Sequence, residues 1–169
     1  MSTRFEYILQ LPDFVPLMGF QNDNELELRP VQVADATSLA ELMIDAYRGS
    51  IDDDGETYDD ALAEVHAYLN GERGGPPWLT FSRQAFMNTR LVGACLVAEW
   101  SERQCPMIAY ILTRAEWKPH GLGRQLLCSV LRDLSKKGFS EVRAVITEGN
   151  EPSENLFRQL GFQKIVSVQ

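Results

Sequence analysis

The chain's 169 residues suffice for one domain with a sizeable core and are too few to suggest two. Its 44% hydrophobic and 24% charged residues are those of an ordinary globular protein, while a net charge of −8 argues against a nucleic-acid partner, whose phosphates need a basic face. No apolar run nears the ~20 residues of a membrane span and no secretory pattern opens the chain, so no membrane association is expected and a cytoplasmic location follows by default.

Residues 1–24, with Pro12, Pro16 and Gly19 among scattered apolar positions, read as an N-terminal extension of uncertain structure, leaving 25–169 as a single domain. Glu25 to Val31 sets Leu26 and Leu28 against charged neighbours, the period of a half-buried strand. Asp35 stands where an N-cap belongs, before Leu39, Leu42, Met43 and Ala46 at helical spacing, and Gly49 ends that helix. Thr57 to Asp60 has the form of a capping box ahead of Leu62, Val65, His66 and Leu69. After the break at Gly71 to Pro77, Trp78 to Phe86 and Arg90 to Trp100 read as strands joined at Asn88-Thr89, and Met107 to Thr113 as a third. Leu122, Leu126, Leu127, Val130, Leu131 and Leu134 form the stripe of a long amphipathic helix closed by Gly138. A strand (Val142 to Thr147), a short helix (Pro152 to Leu160) and a last strand (Phe162 to Val168) complete the order β-α-α-β-β-β-α-β-α-β. This is a mixed α/β domain, antiparallel in its front half.

Between Asp52 and Glu64 stand Asp52, Asp53, Asp54, Glu56, Asp59, Asp60 and Glu64 without one Lys or Arg. Part of that run suits a helix start, where acids meet the positive dipole end; near a cleft it would also draw in cations. Three cysteines (Cys95, Cys105, Cys128) and two distant histidines (His66, His120) match neither a disulfide framework nor a metal site, so no metal is expected. Cys105 has no His or acid partner in sequence that would make it a nucleophile, and Trp78, Trp100 and Trp117 read as packing residues.

Two segments carry chemistry. Lys118-Pro119-His120-Gly121-Leu122-Gly123 follows a strand and opens the long helix. Its glycines allow close backbone approach, and the helix start offers unpaired N–H groups and a positive dipole end, which together suit a pyrophosphate. Asn150, Leu156, Phe157, Gly161 and Phe162 then stand at the spacing N-x5-L-F-x3-G-F on a helix running into a strand. In this order the pair resembles the acyl-CoA binding motif and the following motif of the GNAT superfamily, from about Leu26 onward. The family pattern opens with Arg or Gln, two variable residues, Gly, one variable residue, then Gly or Ala; this chain matches at Gly121 and Gly123 and has Lys118 at the first position.

The resemblance implies a GNAT-like central sheet, mixed and mostly antiparallel, flanked by helices. It implies acetyl-CoA as co-substrate, with the amides of His120, Gly121, Leu122, Gly123 and Arg124 on the pyrophosphate and Lys118 beside them. Ile111, Leu112 and Thr113 would pair with the pantetheine arm, Leu112 supplying the N–H that stabilises the oxyanion. Asn150 and Phe157 would border the pantetheine. Many relatives have a Tyr general acid at the position of Phe157 and a carboxylate base near Met107; neither is present. Tyr110, Glu99 and Glu148 are the substitutes the sequence offers, with water as the alternative. The reaction implied is direct acetyl transfer to a primary amine of a small molecule or peptide, cationic if the acidic run borders the cleft. A catalytically weak acyl-CoA sensor and an acidic interaction module are the competing functions, and a homodimer is among the assemblies open to the chain.

Overall fold

The computed structural model describes residues 2–16 and 25–168; Met1, 17–24 (with Gly19 of the extension) and Gln169 lie outside it. Seven strands form one sheet in the order β2-β3-β4-β5-β6-β1-β7. They are β1 (Arg4–Gln10), β2 (Leu26–Arg29), β3 (Arg83–Met87), β4 (Arg90–Trp100), β5 (Cys105–Thr113), β6 (Glu141–Thr147) and β7 (Gln163–Val168). Helices α1 (Ala36–Tyr47), α2 (Tyr58–Leu69), α3 (Leu122–Lys137) and α4 (Glu151–Gln159) flank it. The mixed, mostly antiparallel α/β architecture expected from the sequence is the one observed.

Two apolar clusters divide the core between the two faces. Leu39, Leu42, Met43 and Ala46 of α1, with Ala61, Val65 and Tyr68 of α2, pack on Ala94, Leu96, Ala98 and Leu112. On the other face the α3 stripe packs on Val97, Val142 and Ala144 together with Phe157 of α4. The capping box is formed: Asp60 N–H donates to the Thr57 hydroxyl at 3.2 Å and Thr57 N–H to the Asp60 carboxylate at 2.9 Å. Asp35 precedes α1 without capping it; its carboxylate accepts instead from Gln32 N–H and the Gln84 amide, both at 2.8 Å.

Two segments depart from the sequence reading. Arg4–Gln10, set apart as an extension, is a strand of the same sheet, antiparallel to both β6 and β7. Phe5, Tyr7 and Leu9 face the α3 core while Glu6 turns to the opposite face, where Arg103 and Arg143 enclose it. The strand expected over Trp78 to Phe86 begins only at Arg83. Trp78 caps a turn, its ring stacked on Phe139 at 5.1 Å, so aromatic content there serves packing rather than pairing.

The sheet parts in the middle. β5 and β6 run parallel and pair only at Met107↔Arg143 and Ile108↔Ala144. At that point Leu96 and Val97 of β4 face Tyr110 and Ile108 of β5, so Ala109 is an extra residue. Such a bulge bends its strand, and beyond it β5 leaves β6.

Candidate active site

The parting of β5 and β6 opens a cleft of about 1310 Å³. Met107 to Ile111 form one wall and Ala144 to Thr147 the other, with Phe157 below and Tyr47, Glu64 and the Asp52–Glu56 segment above.

Strand pairing decides which backbone groups face it. Arg114 N–H donates to the Val92 carbonyl at 2.9 Å, continuing the register Thr113↔Gly93, Leu112↔Ala94. Hydrogen-bonded and non-bonded pairs alternate along an antiparallel ladder, so Leu112 shares its bonds with Ala94. Ile111 and Thr113 turn theirs to the gap. The Leu112 N–H expected at the oxyanion is therefore not open to the gap: the Leu112 amide faces β4 and its side chain is core, and it is the adjacent Ile111 whose N–H turns to the opening.

Gly121 is the residue before α3 and has φ +71, with open space where a side chain would stand. The α3 amides at Leu122, Gly123 and Arg124 lie in its first turn, without intrahelical acceptors. A Cβ on Gly123 would stand 3.5 Å from Thr113 Oγ1, 3.6 Å from Ile111 and 3.6 Å from Leu156, so the turn abuts the end of β5 and α4. Leu122 is 1% exposed and can offer only its backbone. Arg124 donates to Gln159 Oε1, tying α3 to α4. Lys118 is committed elsewhere: its ammonium donates to the Ala46 carbonyl at 2.7 Å, and Ala115 N–H donates to Asp45 at 2.9 Å. The cation thus fastens this segment to the end of α1. His120 is exposed beside the Trp117 ring, 5.5 Å away.

Asn150 caps α4 through Ser153 N–H at 3.3 Å. Its amide donates to Asp52 at 2.9 Å, and Ile51 packs at 3.3 Å from where a Gly149 Cβ would be. The acidic segment is thereby strapped across the cleft onto the β6–α4 turn. Phe157 is 4% exposed, edge-on to Phe162 at 4.8 Å.

Of the proton-transfer residues expected, Tyr110 lines the cleft and Glu99 and Glu148 do not. Glu99 lies at the far end of β4 near the Gly74–Pro76 loop, and Glu148 is exposed. Tyr110 donates to Glu64, which Arg73 grips with two bonds at 2.8 and 2.7 Å. Arg73 holds the Glu64 carboxyl below its usual range despite partial burial, whereas burial and the Glu64 charge push the Tyr110 phenol up. Sequence reasoning treated Glu64 only as one of a run of acids. Its signal was there: it interrupts the apolar α2 stripe of Ala61, Val65 and Tyr68. Tyr47 and Arg4 were also missed as lining residues, and Trp100, read as packing, borders the cleft. Burial pushes the Cys105 thiol up to about 11, which keeps it a thiol. Among the described residues no His, Cys, Asp and Glu group could hold a metal, and no helix is long and apolar enough to cross a membrane.

Comparisons with known proteins agree with this architecture. The family model for the acetyltransferase (GNAT) domain matches residues 25–163. A GCN5-related N-acetyltransferase from Sphaerobacter thermophilus is 18% identical with TM-score 0.69, covering 98% of this chain and 49% of its own; the chain thus spans about half the length of that protein. The PaiA N-acetyltransferase from Thermoplasma acidophilum, solved with coenzyme A, is 15% identical with TM-score 0.62, over 82% of this chain and 89% of its own. The ribosomal-protein-S18-alanine N-acetyltransferase from Escherichia coli is 16% identical with TM-score 0.64, over 83% and 79%. No curated protein matches by sequence. With a family match over most of its length, around the parted sheet and the glycine turn, the chain belongs to the GNAT acetyltransferase family.

Proposed function

We propose that the protein transfers an acetyl group from acetyl-CoA directly to a primary amine of a small molecule or peptide. The observation that carries this is the continuity of the α3 turn with the gap in the sheet: Gly123 lies so close that a Cβ on it would meet Ile111 and Thr113, whose amides face that gap. A pyrophosphate at the first-turn amides of α3 leaves the pantetheine arm the open edge of β5, with Asn150 and Phe157 on its other side. The Ile111 N–H then meets the thioester oxygen as it gains charge. The chain supplies position and electrostatics, and the coenzyme carries the activated group. On the acceptor side, Asp52, Asp53, Asp54, Glu56, Asp60, Glu64 and Glu72 outnumber Arg4, Arg48 and Arg73, which suits a cationic amine.

The test is release of free CoA thiol from acetyl-CoA in the presence of spermidine, kanamycin or a lysine-bearing peptide. Amine-dependent release with an N-acetylated product supports the reading. The buried Phe157, which has no proton to give, favours a second reading as an acyl-CoA sensor; tight acetyl-CoA binding by calorimetry with no release for any amine would establish that instead.

A further inference from the structure

Acetyl transfer leaves a thiolate that must acquire a proton, and Phe157 cannot supply one. Two phenols line the cleft, Tyr110 and Tyr47. Tyr110 has its hydroxyl donated to Glu64 and its ring edge-on to Tyr68 at 5.9 Å. Tyr47, the last residue of α1, is different: among the described residues no hydrogen bond reaches its hydroxyl. Its ring is half-buried and lines the cleft, so the hydroxyl is open to a hydrogen bond with whatever enters.

Its surroundings place it at the gap. α1 packs on β4 and β5 from the face opposite Phe157. Asp52, Glu56, Glu64 and Arg4 are the charged groups around the ring. Arg4 pairs with Thr147 on the β6 wall, and Asp52 is bonded to Asn150. Tyr47 therefore lies within the electrostatic reach of groups held on both lips of the opening. Burial, then the neighbouring carboxylates, push its phenol up, with Arg4 opposing, so it keeps its proton at any working pH.

We propose that Tyr47 is the residue that protonates the departing thiolate, in the role for which Phe157 lacks a hydroxyl; this rests on the acetyl-transfer reading above. The neutral amine nitrogen adds to the thioester carbonyl carbon, and the carbonyl π pair moves to oxygen, opposite the Ile111 N–H. As the carbonyl re-forms, the C–S bond breaks and sulfur takes its electron pair together with the Tyr47 hydroxyl proton. Tyr47 recovers a proton from the cationic nitrogen of the same intermediate. The sum is one proton moved from nitrogen to sulfur. A phenol this reluctant to ionise is a weak acid by itself, so the two transfers are coupled and free phenolate does not accumulate.

The experiment uses Tyr47→Phe, which keeps the ring, and the double variant Tyr47→Phe/Phe157→Tyr, assayed with the amine of the panel that wild type acetylates fastest. General-acid loss predicts kcat lower by about 100-fold, with unchanged Kd for acetyl-CoA, unchanged KM for the amine and an unchanged melting temperature. The double variant, with a phenol returned from the other face of the gap, should regain at least about tenfold of that loss. A Tyr47→Phe enzyme within about threefold of wild type would overturn the assignment. So would a kcat loss matched by lost acetyl-CoA affinity or lost folding, or a double variant no faster than the single; each would mark Tyr47 as packing. If wild type itself releases no CoA with any amine, acetyl transfer fails and this inference fails with it. If wild type turns over and Tyr47→Phe turns over equally, only the Tyr47 assignment falls.

Discussion

Glu6 offers a sharp test of how the first strand is held. Its carboxylate is 0% exposed and accepts from Arg103 Nε and Nη2 at 3.2 and 3.1 Å and from Arg143 Nη1. These arginines come from the β4–β5 turn and from β6, so Glu6 stitches β1 to the strands beside the cleft. Glu6→Gln keeps the shape and removes the charge. Breaking a buried pair typically costs 3–5 kcal/mol, but the figure is lower here. Arg103 is already 41% exposed and can turn to water, and Arg143 retains Glu141; an uncharged amide can still accept one bond. About 2–3 kcal/mol remains, or roughly 4–12 °C in Tm for a domain of this size.

The pH dependence follows from linkage. Burial works against the Glu6 charge, yet Arg143 and Arg103 hold its carboxyl below the ordinary 4.5. A depressed carboxyl contributes stability that is fully present above the unfolded-state value and lost as pH falls through the folded one. Thermal melts of wild type and Glu6→Gln should therefore differ by a constant amount above about pH 5.5 and converge below about pH 4.5. A variant melting within about 1 °C of wild type at pH 7, or a gap that does not narrow as pH falls below about 4.5, would refute this account of the strand's anchoring.

Three further outcomes are expected. Gly121→Val, which forces a branched side chain into φ +71 and into the space beside the α3 amides, should abolish acetyl-CoA binding in calorimetry; unchanged affinity in a folded variant would displace the pyrophosphate from this turn. Phe157→Tyr should raise kcat or leave it nearly constant, and loss of activity with coenzyme binding intact would mean that α4 does not border the pantetheine. Asp54→Asn should lower kcat/KM for spermidine at low ionic strength and match wild type near 1 M salt, where screening reaches about 3 Å, without changing acetyl-CoA affinity. Equal kinetics at all salt concentrations would remove the steering role.

Much of the frame was legible because its signals are local. The Thr57–Asp60 box, the α3 stripe and Gly138, in the left-handed region at φ +95, each act within a few residues. What escaped depends on distance along the chain. Phe5, Tyr7 and Leu9 alternate as a buried strand should, but the partners of β1 lie at Glu141–Thr147 and Gln163–Val168, and no nearby residue announces them. Whether Ile111 or Leu112 faces the gap is a question of parity, set by pairing with β4 beyond the extra residue Ala109, and periodicity in β5 alone cannot supply it. Lys118 looked like a phosphate ligand by its place in the motif; its carbonyl partner belongs to Ala46, at the end of a helix far back in the sequence.

The acidic run shows the same division at the level of single residues. Asp52 is bonded to Asn150, Asp53 accepts from Gly49 and Gly55 N–H at 2.7 and 3.0 Å, and Asp60 closes the capping box. These three therefore have structural work, and neutralising Asp52, Asp53 and Asp54 together would loosen the strap as well as weaken the field. Glu56 accepts from Asp54 N–H at 3.2 Å. The Asp54 carboxylate has no hydrogen-bonding partner among the described residues, yet it borders the cleft. A charge that neither caps, latches nor pairs contributes nothing local to the fold, and its field acts on whatever enters. That is why the salt-dependent part of acceptor binding should follow Asp54, while the stability of the strap should follow Asp52 and Asp53.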